Sequence, residues 1–118
     1  MILVDTSVWV DHLRHTEDGL VELLESGQVL THPFIIEELA CGNLANRQEF
    51  VELLEALPTV AVAHHEEVLE LLDQERLYGT GLGSVDVHLI ASARLSFAKI
   101  WSKDKAMLRE SKRLEIEA

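Results

Sequence analysis

Ile2-Leu3-Val4-Asp5-Thr6-Ser7 places three apolar residues, an aspartate and two hydroxyl residues near the start of the chain. A short apolar run that ends abruptly in polar residues predicts a strand buried on both faces of a sheet. Similar runs occur at 29–31, 59–62 and 98–101, and a weaker one at 114–117. The sequence therefore contains about five candidate strands, each only a few residues long.

Helical patterns lie between these runs. Around Leu20, Phe50 and Val68, apolar residues recur at i, i+3 and i+4 with acidic residues on the opposite side. This spacing is typical of a helix that lies on a core. Short strands that alternate with helices predict an α/β protein with a central parallel sheet of about five strands and helices on both faces.

Capping residues indicate where several helices begin. Thr6 or Ser7 is expected to cap the first helix, and Pro33 suits the first turn of another. Ser84 follows the glycine-rich stretch 79–83 and is expected to cap a helix over 85–95. Because that stretch follows a helix and lacks the Lys-Ser or Lys-Thr ending, it is not a P-loop.

Length and composition limit the class of protein. The 118 residues suit a single domain covering 1–118, which is long enough to form a core without disulfides or structural metals. The one cysteine cannot form an internal disulfide, which is expected of a cytoplasmic protein. No apolar run reaches the roughly 18 residues of a membrane span, and no basic leader precedes the first acid, so we expect neither an anchor nor a signal peptide.

The net charge of −11 argues at first against a nucleic-acid partner, because phosphates repel an acidic surface. The charge is unevenly distributed, however. Residues 94–118 contain seven basic and four acidic residues, which leaves the remaining chain with a charge of −14. A solvated helix of mixed charge would explain this basic end, but it also leaves a polyanionic substrate possible.

Aspartates follow two of the candidate strands. Asp5 comes directly after the first run, and Asp104 lies three residues after Trp101. Because ligands of parallel α/β sheets bind beyond the carboxyl ends of the strands, both acids are candidates for a site. Asp86 in the first turn of a helix and Glu38 on another helix are further candidates, although each alone fits an ordinary surface or helix-dipole role.

Several carboxylates that converge at one edge of a sheet require a counter-ion, because they would otherwise repel one another. A hard divalent cation such as Mg²⁺ or Mn²⁺ prefers oxygen ligands of this kind. Such a cation keeps positions free for water and phosphate oxygens, which suits phosphodiester hydrolysis. It would also reduce the negative charge that opposes RNA binding.

Four motifs stand in order along the chain: Leu3-Val4-Asp5-Thr6-Ser7, Pro33-Phe34-Ile35-Ile36-Glu37-Glu38-Leu39, Gly81-Leu82-Gly83-Ser84-Val85-Asp86 and Trp101-Ser102-Lys103-Asp104. Together they closely resemble a PIN-domain ribonuclease of the VapC type, the toxin of a bacterial type II toxin–antitoxin pair. The resemblance extends over essentially the whole chain. It implies a PIN-like fold with a five-stranded parallel sheet, and a Mg²⁺- or Mn²⁺-dependent endoribonuclease.

The resemblance also implies which residues form the site. The acidic positions that hold the metal and carry the catalysis are occupied here by Asp5, Glu38, Asp86 and Asp104. Hydroxyl groups that match supporting positions belong to Thr6, Ser7 and Ser102. Our own candidates for contacts with the RNA backbone are the basic residues Arg94, Lys103 and Lys105.

The family further implies a cognate antitoxin protein that blocks the site, and a homodimer. Two positions depart from the family pattern. Glu37 stands where relatives often have glycine, and Ser84 where they often have tryptophan. Because helical neighbours point about 100° apart, Glu37 and Glu38 do not easily share one site, and the motif selects Glu38.

Other site chemistries fit the sequence less well. A haloacid-dehalogenase-type phosphatase would need an aspartate at Ser7, and a receiver domain would need one where His64 stands. The histidines lack the spacing of a zinc motif, and we expect a structural role for His32. The remaining alternative is a non-catalytic acidic module that sequesters a basic partner or RNA, which would need no metal and would tolerate Asp5→Ala.

Overall fold

The alternating apolar runs and amphipathic patterns form three strands and seven helices in a computed structural model that describes residues 1–118. In chain order the elements are β1 (Ile2–Val4), α1 (Thr6–Arg14), α2 (Asp18–Glu25), β2 (Val29–Leu30), α3 (Pro33–Ala40), α4 (Arg47–Glu55), α5 (His65–Gln74), α6 (Ser84–Leu95), β3 (Lys99–Trp101) and α7 (Lys105–Arg113). None of these helices has the length and apolar character needed to cross a membrane.

The sheet is parallel, with β1 between β2 and β3. Leu3 pairs with Leu30 on one side and with Ile100 on the other. Leu3 and Val4 are consecutive, so their side chains point to opposite faces of the sheet, and neither is exposed to solvent. Both faces of the central strand are therefore covered, which confirms the predicted α/β class and the parallel sheet.

The prediction of about five strands is wrong, because the sheet has three. The segments at 59–62 and 114–117 each contribute only an isolated bridge, Thr59 to Thr31 and Glu117 to Ile100. Beyond the first bridge, the backbone N–H groups of Ala61 and Ala63 donate to the hydroxyls of Ser96, the C-cap residue of α6, and of Ser92 within α6, instead of to a neighbouring strand. This segment therefore runs beside the sheet without continuing its ladder of hydrogen bonds.

The predicted capping of the first helix is also wrong. The residue that precedes α1 as its N-cap is Asp5, and no side chain caps the helix. The Thr6 hydroxyl donates instead to Glu38, and the Ser7 hydroxyl donates to the Asp5 carboxylate. The hydroxyls at the start of α1 are thus used to orient acids.

The helix predicted over 85–95 is present, but it begins one residue earlier than expected. Gly83 is the N-cap residue of α6, and Ser84 is the first helical residue. The Asp86 carboxylate accepts a hydrogen bond of 3.0 Å from the Gly83 N–H group. The side chain of Asp86, and not that of Ser84, therefore caps the helix by accepting from the Gly83 N–H group.

Helix α7 is attached to the segment that leads into α6 by a buried acid and two arginines. Glu110 is 5% exposed and accepts hydrogen bonds of 2.8 Å from both Arg109 and Arg113. Arg109 also donates to the carbonyl of Thr80, and Arg113 donates to the carbonyl of Glu75 at 2.7 Å. The two guanidinium groups lower the pKa of Glu110, so its charged form stabilises the fold.

We predict that Glu110→Gln destabilises the protein at neutral pH and that this difference disappears in acid. The ionised Glu110 contributes stability above its ordinary pKa of 4.5, and that contribution is lost as the pH falls through the lowered pKa of the folded state. Urea denaturation of both proteins between pH 3 and 7 measures the effect. Exposed Glu55 provides a matched control, Glu55→Gln, and an equal pH response of the two variants would contradict the prediction.

Candidate active site

The carboxyl ends of β1 and β3 meet at one edge of the sheet. The Asp5 N–H group donates a hydrogen bond of 2.9 Å to the carbonyl of Trp101. Asp5 therefore follows the central strand directly beside Ser102, which follows β3. Strand ends that are buried and hydrogen-bonded in this way hold the attached side chains in a fixed position.

The Asp5 carboxylate is oriented by two hydroxyl groups. Its Oδ2 atom accepts hydrogen bonds from Ser7 at 2.9 Å and from Ser102 at 2.7 Å, and the residue is only 6% exposed. Each serine oxygen also accepts a backbone N–H group, that of Lys103 on Ser7 and that of Asp104 on Ser102. Because both oxygens accept from the backbone, their protons are directed towards Asp5.

Glu38 extends from α3 towards the same edge. The Thr6 hydroxyl donates to its Oε1 atom at 3.1 Å, and this bond links the start of α1 to α3. The pKa of Glu38 is raised, first by partial desolvation of its carboxyl group and also by the charges of Asp5 and Asp86, while the Thr6 hydrogen bond acts in the opposite direction. Glu38 therefore lies within electrostatic range of two other acids of the predicted set.

Asp86 is half-buried in the first turn of α6, where the hydrogen bond from Gly83 fixes one of its oxygens. Desolvation raises the pKa of Asp86, and the charges of Asp5 and Asp104 raise it further, against the lowering effect of the Gly83 bond. Asp104 is the N-cap of α7, and its Oδ1 atom accepts from the Met107 N–H group at 3.0 Å. All four predicted acids thus lie close enough to be coupled by their charges.

None of these four acids is neutralised by the protein. The five ion pairs of the protein involve Glu75, Asp11, Glu17 and Glu110, and none of them includes Asp5, Glu38, Asp86 or Asp104. Since each acid accepts hydrogen bonds only from neutral groups, the edge carries uncompensated negative charge. Such an edge attracts a cation.

The ligand chemistry of this edge suits a hard divalent cation, because every candidate ligand atom is an oxygen. The carboxylates do not form a single compact ligand set, however, since no three Asp, Glu, His or Cys side chains are close enough together to hold a metal ion. Mg²⁺ usually keeps several waters and takes only one or two carboxylates directly. The four acids therefore suit such a cation through their oxygen ligand atoms and their unpaired negative charge.

The three basic residues proposed for RNA contacts differ in their positions. Lys103 is held by Asp11 at 2.8 Å and by Glu17 at 2.5 Å, which raises its pKa. Lys105 begins α7 directly after Asp104 and forms no ion pair. Arg94 pairs with Glu75 in the last turn of α6, about 12 Å along the helix from Asp86, so the structure does not bring Arg94 to this edge.

The Lys103 ion pairs were missed by the sequence analysis. Lys103 lowers the pKa of Asp11 through a hydrogen bond and through its charge. Asp11 lies in α1, six residues after Asp5, whereas Lys103 follows β3. Nothing in the sequence indicates that Lys103 contacts Asp11. Only the adjacency of β1 and β3 brings these residues together.

His32 has the structural role expected for it. It precedes α3, is fully buried, and its Nδ1 atom accepts the N–H group of Phe34 at 3.0 Å. Burial, together with the nearby imidazole of His88, lowers the pKa of His32 to about 4, so the ring is neutral at pH 7. His32 thus fixes the start of the helix that carries Glu38.

The sequence is similar to known proteins over most of its length. The model of the PIN domain family matches residues 2–112. Ribonuclease VapC32 of Mycobacterium tuberculosis, found in two strains, is 46% identical to this chain over 108 residues, which cover 91% of this chain and 87% of that protein. Because both matches extend over most of the sequence, the chain belongs to the PIN-domain family, among the proteins of the VapC type.

Proposed function

We propose that the protein is a metal-dependent endoribonuclease that hydrolyses RNA phosphodiester bonds and acts as the toxin of a toxin–antitoxin pair. The observation that carries the proposal is the set of four acids without a cationic partner at the carboxyl edge of the sheet. The similarity to a protein named as a ribonuclease supports the same reaction.

Asp5, Glu38, Asp86 and Asp104 are the residues that would hold Mg²⁺ or Mn²⁺, directly or through water. When bound, such a cation makes a water molecule more acidic and stabilises negative charge on the phosphate and the leaving oxygen. It would also offset the repulsion that the acids exert on RNA.

The remaining residues of the edge position these acids. Ser7 and Ser102 direct their protons at Asp5 and so hold its carboxylate in one orientation while leaving its charge intact. Thr6 does the same for Glu38. Lys105 has no acidic partner and lies next to Asp104, which makes it better placed than Arg94 to contact an RNA phosphate near the acids.

The alternative is an acidic module that binds a basic partner or RNA without cutting it. Such a module has no need for a buried carboxylate that accepts hydrogen bonds from two hydroxyls, because burying a charge is costly. The burial of Asp5 beside three other unpaired acids therefore favours the nuclease.

A protein partner has an apolar surface on which to bind. A cavity of about 360 Å³ between α1, α2 and α4 is lined almost entirely by apolar side chains, among them Trp9, Leu13, Leu24, Phe50 and Leu53. Leu53 is 62% exposed and Leu13 is 44% exposed, which is unfavourable in water. We propose that the antitoxin covers this surface, and that its basic side chains are attracted by the net charge of −11. A homodimer and a cytoplasmic location stay predictions.

We predict that Asp86→Asn reduces RNA cleavage by at least about 100-fold, because a change in the groups that merely support metal ligands already costs 10- to 100-fold. Asparagine has the size of aspartate and can still accept the Gly83 hydrogen bond, so the fold is kept while the charge is lost. The measurement is cleavage of a pool of structured RNAs by antitoxin-free protein in Mn²⁺, Mg²⁺ or EDTA.

Asp73→Asn on the exposed side of α5 is the matched control and should cut like the wild type. Discrete cuts that require the metal and vanish only in Asp86→Asn would support the nuclease. Cuts that persist in Asp86→Asn would mean that another site or another protein makes them.

We predict that Ser102→Ala reduces cleavage by about tenfold while the protein stays folded. The change removes the shortest hydrogen bond to Asp5, 2.7 Å, but leaves the bond from Ser7 in place. Rates are compared at equal metal concentration, and circular dichroism checks the fold. Full activity in this variant would show that the Ser102 hydroxyl does not position Asp5.

We predict that Mn²⁺ stabilises the folded protein by about 2.7 kcal/mol at one hundred times its dissociation constant, because the unfolded chain lacks the site. Urea denaturation with and without Mn²⁺ measures this, and Asp86→Asn should lose most of the gain. Equal stabilisation of the variant and the wild type would place the cation elsewhere.

A further inference from the structure

A second concave feature lies directly beside the four acids, between α3 and α6. We call it the α3–α6 groove. It has a volume of about 380 Å³, within the range of about 300–1,000 Å³ that holds small ligands. Its lining includes Phe34, Glu37, Glu38, Ser84, Val85 and His88.

The groove adjoins the candidate metal site on both helices. Glu38 lines the groove and also accepts the Thr6 hydrogen bond at the acidic edge. On the other helix, Ser84 and Val85 lie within two residues of Asp86. A nucleotide whose phosphate lay at the four acids would therefore bring a neighbouring base to the groove.

One wall of the groove is aromatic and held in place. The rings of Phe34 and His88 meet edge to face, with centroids 5.0 Å apart and planes at 71°. His32 also packs against Phe34, with ring centroids 4.9 Å apart. Since His32 is completely buried and also caps α3, its contact helps to hold the Phe34 ring in place. Aromatic rings of this kind are what RNA-binding proteins use to stack unpaired bases.

Three polar side chains of the groove have no partners within the protein. The side chains of Glu37, Ser84 and His88 take part in no hydrogen bond and no ion pair, and the Nδ1 atom of His88 is buried without a partner. Glu37 is three residues from Phe34, so the carboxylate and the ring are neighbours on the same face of α3. A base stacked on Phe34 would thus present its edge to Glu37.

The charge of the groove selects the group that it can bind. Glu37 and Glu38 repel phosphate, and no lysine or arginine lines the groove, so a base is favoured over the backbone. A carboxylate only accepts hydrogen bonds and has two oxygens with which to do so. Among the four RNA bases, only guanine presents two adjacent N–H donors on its Watson–Crick edge, because adenine, cytosine and uracil place an acceptor next to the donor.

We propose that the α3–α6 groove is a guanine subsite, in which the base stacks on Phe34 and its N1–H and N2–H groups donate to the carboxylate of Glu37. As a subsite for the RNA that is cut, it rests on the proposed nuclease function. Glu38 and Asp86 serve the cation, and Glu37 sets the preference for the base that lies next to it.

The test measures binding of single nucleosides to the full chain in EDTA, because nucleosides carry no phosphate and need no metal. Guanosine, adenosine, cytidine and uridine are titrated into ¹⁵N-labelled protein, and amide shifts on α3 and α6 are followed by NMR. We expect guanosine to bind about tenfold more tightly than adenosine. Glu37→Gln should abolish this preference, and Phe34→Leu should weaken the binding of all four nucleosides. The control Glu55→Gln should change neither the preference nor the affinities.

Equal affinities for the four nucleosides, or an unchanged guanosine preference in Glu37→Gln, would overturn the proposal. A second copy of the chain covering the groove would also overturn it, and would appear as a dimer by sedimentation with no nucleoside binding. Mapping of cuts in an RNA pool separates the two proposals. Guanosine selectivity without any cleavage would contradict the proposed nuclease function and support the guanine subsite. Cleavage without guanosine selectivity would support the nuclease function and contradict the guanine subsite.

Discussion

The buried carboxylate of Asp5 is the feature on which the rest of the site depends. It ends the central strand of the sheet, and its backbone N–H group binds the end of β3. Burying a charged group is costly unless hydrogen bonds replace its water. The hydroxyls of Ser7 and Ser102 provide those bonds without cancelling the charge. The start of α1 and the loop after β3 are thereby held around one ionised oxygen.

The protein treats its other buried or clustered acids differently. Glu110 is bound by two arginines, and Lys103 bridges Asp11 and Glu17. Both arrangements pair charges and so favour the fold. The four acids at the sheet edge receive only neutral donors, although Lys103 lies next to Asp104 in the sequence. The pairing of Lys103 with other acids keeps its charge engaged away from that edge and leaves the four carboxylates unneutralised.

Much of the fold could be predicted from the sequence, because it follows from local patterns, whereas the four acids of the candidate site were selected by their match to the motifs of the family. Short apolar runs predicted β1 and β3, each with an aspartate directly or three residues after it, and the parallel sheet brings the ends of these strands together. The outer strands could not be predicted in the same way. Whether a run such as 59–62 joins the ladder depends on which groups its N–H donors meet, and they meet the hydroxyls of Ser92 and Ser96. The α3–α6 groove could not be predicted for a similar reason, since it forms only where α3 and α6 lie side by side.

Helix α3 links the two parts of the proposed active surface. Glu37 and Glu38 are neighbours in sequence and point about 100° apart. Both line the groove, and Glu38 also lies at the acidic edge, where it accepts the Thr6 hydrogen bond. The position of the helix is set at its start by His32 and beside Glu38 by Thr6. A shift of α3 would therefore move both carboxylates together. Cleavage and base selection are for this reason expected to respond jointly to changes at Thr6 or His32, and separately to changes at Glu37.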